Sequence, residues 1–169
     1  MMIISIIALI ISIFLQGLMS RYFGYTYTDL SLFSTIYVLI VLLIIVPYFS
    51  NKKKYFALVL FFGFIMDVVY TDVFLLNVSL FVVAYYFSKA FHSFFPYNWL
   101  TVSVSNLLCV FMYHIISFLF LEVLGYDSYS FFNLFKILGC SVISTVIYSS
   151  LVYVIIEFVY NKFQLKEVK

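Results

Sequence analysis

Six long apolar runs, parted by short polar connections, divide the chain almost from end to end. They cover about residues 3–19, 30–49, 55–70, 73–87, 99–124 and 134–160. Coiled into helices, they are on the order of the ~30 Å hydrocarbon core of a bilayer. Hydrophobic residues make up 66% of the chain and charged residues only 9%. A globular domain carries roughly 25% charged residues. The expectation is an all-α integral membrane protein, with six transmembrane helices in one bundle and a single domain over residues 1–169. So little polar mass outside the runs argues against most soluble enzymes.

The first run could be mistaken for a secretory leader. It has no basic stretch before it, is longer than a leader's apolar core, and is followed by no A-x-A-like site. It reads as a retained first span. The two cysteines, Cys109 and Cys140, fall inside runs five and six without CxxC or Cys/His spacing. They read as small apolar residues, with no metal site, cofactor or disulfide framework implied. A net charge of +2 is too small to suggest nucleic acid.

Where the positive charges sit says more. If the N-terminus is cytoplasmic, the inner connections hold Lys52, Lys53, Lys54, Lys89, Lys162, Lys166 and Lys169. The outer ones hold only Arg21 and Lys136. By the positive-inside rule, both termini belong on the cytoplasmic side of a cell membrane. Tyr22, Tyr25, Tyr27, Tyr126 and Tyr129 then lie near the outer interface, and Tyr97 and Trp99 near the inner one. Runs three and four are joined so tightly that a re-entrant hairpin is an open alternative to two full spans.

The third run, FFGFIMDVVYTD, sets Asp67 among apolar neighbours. Twelve residues into the run, it lies about 18 Å from the inner edge, past the midplane. An acid at such depth costs roughly 2.5 kcal/mol or more and faces protein or water, not lipid. Gly63, one turn earlier, allows a second helix to approach closely. Together they mark the buried face of the run. Asp67 either accepts from a donor between helices or serves a ligand or partner directly. His114 in run five lies at a similar depth, about 22 Å from the inner edge, and is a candidate partner for Asp67. A lone histidine in such a run more often serves as a satisfied packing residue than as a proton relay. Asn77 and Asn106 read as interhelical hydrogen-bonding groups. Glu122 and Glu157 lie near run ends, within reach of water. Ser141, Thr145 and Ser149 recur at i, i+4 and i+8, with Ala8 and Ser12 a weaker small-residue pair. Such stripes are close-packing surfaces, either within the protein or to another subunit, including a second copy in a homodimer.

No HExxH, GxSxG or phosphate-binding loop is present, nor a plausible pair of catalytic carboxylates. A carrier would offer helices interrupted by Gly or Pro in matching halves, whereas Pro47 and Pro96 fall near run ends.

The segment YFALVLFFGFIMDVVYTDVFLLNVSLFVVAYYFSK, behind a KKK loop, resembles the rod shape-determining protein MreD family. The resemblance rests on Gly63 and Asp67 in a G-x-x-x-D pattern, on Tyr70 and Thr71 at the turn, and on Ala84, Tyr85 and Lys89 closing the fourth run. Asp29 opening the second run adds to it. It covers Asp29 to Lys89 best; beyond Trp99 only the number of runs supports it. Many members of that family carry a glycine shortly after the turn, where this chain has Leu75, Leu76 and Asn77. The resemblance implies a non-enzymatic scaffold of the bacterial cell-elongation machinery. Its partner would be a bitopic MreC-like protein, linked to MreB filaments and to the RodA–penicillin-binding protein synthase of peptidoglycan. It also implies a fold similar to the six-helix S-components of energy-coupling factor transporters. A vitamin-binding S-component is therefore the alternative function, although few residues here would line its polar outer pocket.

Overall fold

The computed structural model describes residues 2–23, 35–49, 51–70, 75–123, 125 and 131–162. Among them there are six α-helices and no strand: α1 (Met2–Phe23), α2 (Tyr37–Ile45), α3 (Lys52–Tyr70), α4 (Leu76–Phe94), α5 (Trp99–Val123) and α6 (Phe131–Lys162). A short 3-10 turn, Val46–Tyr48, follows α2. Two stretches are long and apolar enough to cross a membrane: Trp99–Phe120 in α5 and Leu134–Lys162 in α6. Ile4–Met19 and Tyr37–Tyr48 are shorter apolar stretches.

The core is built around α2. Its sequence, YVLIVLLII, has no polar face, and a helix apolar all round must be covered all round. All nine of its residues are buried, with α1, α4, α5 and α6 packed against it. The second apolar run reads as a span over about 30–49, but the helix starts only at Tyr37 and is roughly 14 Å long. Thr35 and Ile36 are described and non-helical; residues 30–34 lie outside the described residues. Four side chains meet at this break. The Tyr37 N–H donates to Gln16 Oε1 of α1 at 2.9 Å. The Thr35 hydroxyl bonds the hydroxyls of Ser144 and Thr145 on α6. Irregular backbone in an apolar interior survives only where protein groups satisfy it. At the other end, Pro47 stands in the first turn of the 3-10 element, where its missing N–H costs nothing.

The helices alternate in direction. Gly63 faces Val78, while the Phe56 ring lies 6.3 Å from that of Tyr85, so α3 and α4 run antiparallel. The hydroxyls of Ser5 and Tyr160 meet at 2.7 Å, joining the start of α1 to the end of α6. Tyr160 stacks on Tyr48 at 4.3 Å, and Tyr153 lies 5.9 Å from Tyr97 before α5. Tyr97 and Tyr55 donate their hydroxyls to the Ile44 and Leu42 carbonyls near the end of α2. One end of the bundle therefore gathers the starts of α1, α3 and α5 and the ends of α2, α4 and α6. Lys52, Lys53, Lys54, Lys89 and Lys162 all belong to that end. Lys136, in the first turns of α6, belongs to the other. The α4 helix continues through Lys89 and His92 to Phe94, beyond the end of the fourth apolar run at about residue 87. No proline or glycine interrupts it before Pro96.

Polarity is arranged inside out. Ser5, Ser12, Gln16, Thr35, Asn77, Asn106, Ser141, Thr145 and Ser149 are buried. Ile11, Phe14, Phe61, Val68, Phe135, Ile143, Leu151 and Phe158 are exposed. The hydroxyl stripe of α6 is thus an internal seam, reached by Thr35, and not a surface left for another subunit.

Candidate functional site

The half of the α3–α4 pair remote from the lysines is held by two residues one turn apart. Gly63 is buried, and a Cβ built there would lie 2.9 Å from Val78 Cα and 3.3 Å from Val78 N. Only glycine lets the two backbones touch at this point. Asp67, one turn on, aims its carboxyl at the start of α4. Oδ1 accepts from the Asn77 N–H at 2.7 Å, and Oδ2 from the Val78 N–H at 3.3 Å. These are N–H groups of the first turn, which have no partner within their own helix. The residue preceding α4, Leu75, supplies no side-chain cap. Asp67 therefore caps α4 from the neighbouring helix, at the end where the helix dipole favours an acidic side chain.

Leu75 has φ 66°, in the left-handed region. A non-glycine residue there costs about 1–2 kcal/mol. Asp67 bonds the second and third residues after Leu75, Asn77 and Val78.

The network reaches a third helix through Asn77. Its backbone belongs to the Asp67 cap, and its side-chain Oδ1 accepts the hydroxyl of Tyr113 on α5. His114 follows Tyr113, is buried, and meets the Tyr113 ring edge-on at 5.7 Å between centroids. Asn106 is buried two turns earlier on α5. Gly63, Asp67 and Asn77 thus form one contact, Tyr113 extends it, and His114 borders it. Asn106 stands apart by about 10 Å along the helix axis.

Other residues of the same segment have structural tasks. Tyr70 donates its hydroxyl to the Ile13 carbonyl at 2.9 Å, and Gly17 leaves room for that hydroxyl. Ala84 is buried, and its carbonyl accepts the Cys109 thiol at 3.7 Å. Tyr85 packs on Tyr55 at 5.2 Å. Thr71 and Asp29 lie outside the described residues. Tyr113 is not singled out by sequence. The i, i+7 spacing of Asn106 and Tyr113 is the one available signal for it. Among the described residues, no three His, Cys, Asp or Glu side chains gather as a metal site requires.

No family model, curated protein or solved structure matches the chain.

Proposed function

We propose that this chain is a multi-pass membrane scaffold of the MreD type, with six spans and both termini cytoplasmic. It would bind an MreC-like single-span partner and through it support peptidoglycan synthesis and cell shape. The observation that carries the reading is the Gly63–Asp67 lock on α4. Of the residues that resemble the family, Gly63, Asp67 and Tyr85 join α3 to α4, and a stiff helix pair suits a docking scaffold. The inside-out polarity supports the bilayer as surroundings, and the five lysines at one end of the bundle support the orientation.

Orientation is tested by cysteine labelling in a chain with Cys109 and Cys140 replaced by serine. Cysteines at Ser50 and Lys166 are expected to resist a membrane-impermeant thiol reagent in intact cells, and one at Ser128 to react. Labelling at Ser50 would overturn the topology.

The partner is tested by purification in mild detergent. An MreC-like single-span protein is expected to accompany the chain. One observation favours the S-component reading instead: Asn106 Nδ2 and Ser117 Oγ, both on α5, are buried without a hydrogen-bond partner. Such atoms suit a site for a small polar molecule. High-affinity vitamin binding by the isolated protein, with no single-span partner found, would reverse the order of the two readings.

A further inference from the structure

The lysine-bearing end of the α3–α4 pair has a charge problem that the two helices do not solve. Asn51 fixes the start of α3, its Oδ1 accepting the N–H groups of Lys53 at 3.0 Å and Lys54 at 3.3 Å. Lys52 and Lys53 are thereby set in the first turn of a helix, where the dipole disfavours cations. They stand one turn before Phe56, on its side of α3. The Phe56 ring packs against those of Tyr85 and Tyr86 on α4, at 6.3 and 6.5 Å. Lys89 lies one turn beyond both tyrosines. The antiparallel register thus turns Lys89 toward Lys52 and Lys53, and all three are exposed. The only acid on either helix is Asp67, four turns away at roughly 21 Å. That is well beyond the ~8 Å screening length at physiological salt. Toward the middle of the pair, Leu60, Val83 and Tyr86 are exposed and give apolar surface beside the lysines.

We infer that Lys52, Lys53 and Lys89 form a binding site for the headgroup phosphate of an anionic phospholipid, whose acyl chains lie along Leu60, Val83 and Tyr86. The inference rests on the membrane reading above. The phosphate meets three cations that otherwise repel one another, and it opposes the unfavourable dipole at the start of α3. The apolar ledge below fits a lipid and not a free phosphate ion.

The test uses the full chain in nanodiscs holding phosphatidylglycerol and phosphatidylcholine in equal amounts. Retained lipids are counted by native mass spectrometry. The parent is expected to retain phosphatidylglycerol in preference. Each lysine removed is expected to weaken that retention roughly fivefold, so K52Q/K53Q/K89Q loses the preference. K89Q lowers it alone, whereas K162Q, with the same charge change at the same end of the bundle, leaves it intact. If the triple variant does not fold, the comparison of K89Q with K162Q carries the test. Equal retention of the two lipids by the parent, or equal losses in K89Q and K162Q, overturns the site while leaving the membrane reading standing. Failure of the parent to enter nanodiscs overturns both.

Discussion

Leucine at Gly63 is expected to drive α3 and α4 apart and leave little folded protein. The atoms in the way are the Cα and N of Val78, not the tip of a flexible side chain. Backbone inside a helix moves only if the helix moves. Even alanine puts its Cβ 2.9 Å from Val78 Cα, and overpacking of this kind costs about 1–3 kcal/mol. Leucine adds three further carbons to the same contact. A detergent melt should therefore rank the parent above Gly63→Ala, with Gly63→Leu lowest or aggregated by size exclusion. A second change sharpens the test. Val78→Ala trims the side chain but keeps the Cα, so it should not rescue Gly63→Ala. A Gly63→Ala protein that melts with the parent would refute the close approach.

Asp67→Leu is expected to have the other large effect. It leaves the Asn77 and Val78 N–H groups without their acceptor. A buried donor so orphaned costs about 1–3 kcal/mol. The turn before α4, with Leu75 at positive φ, loses its anchor at the same time. Asp67→Asn keeps one acceptor oxygen of the same reach. It loses the second and the charge facing the helix dipole, the latter worth about 0.3–1 kcal/mol. The expected order of melting is parent, then Asn, then Leu, with partner capture in the same order. If Asn fails as badly as Leu, the charge itself is needed, as for an ion pair with a cationic group. If Leu melts and assembles like the parent, the cap does not hold α4.

Both predictions concern points where the register between helices is set. Polar groups gathered in the interior form hydrogen bonds with directional requirements, and these choose the register between helices. Apolar groups turned outward do not discriminate one outward-facing rotation from another. In this chain register is set at a few points: Gly63 on Val78, Asp67 on the start of α4, Gln16 on Tyr37, and Thr35 on α6. Variants there should disturb assembly far more than substitutions among the exposed Ile, Leu and Phe of α6.

The helical character of the chain and the rough places of its helices are legible in the sequence, because the length of an apolar run is a local property. The burial of Gly63 and Asp67 is legible for the same reason: a small residue and an acid one turn apart have few other uses in an apolar helix. What Asp67 binds is not legible. Its acceptor groups meet backbone N–H donors, which every residue but proline carries, so no side chain announces them. Tyr113 joins through Asn77 for a reason equally distant along the chain. The hydroxyl stripe of α6 reads the same whether it packs inward or against a second copy; Thr35 and the buried α2 decide for the interior. The short α2 is also a tertiary result. Residues 35 and 36 lie within the second run, yet they are non-helical: Gln16 of α1 accepts the Tyr37 N–H, and the hydroxyls of α6 engage the Thr35 side chain.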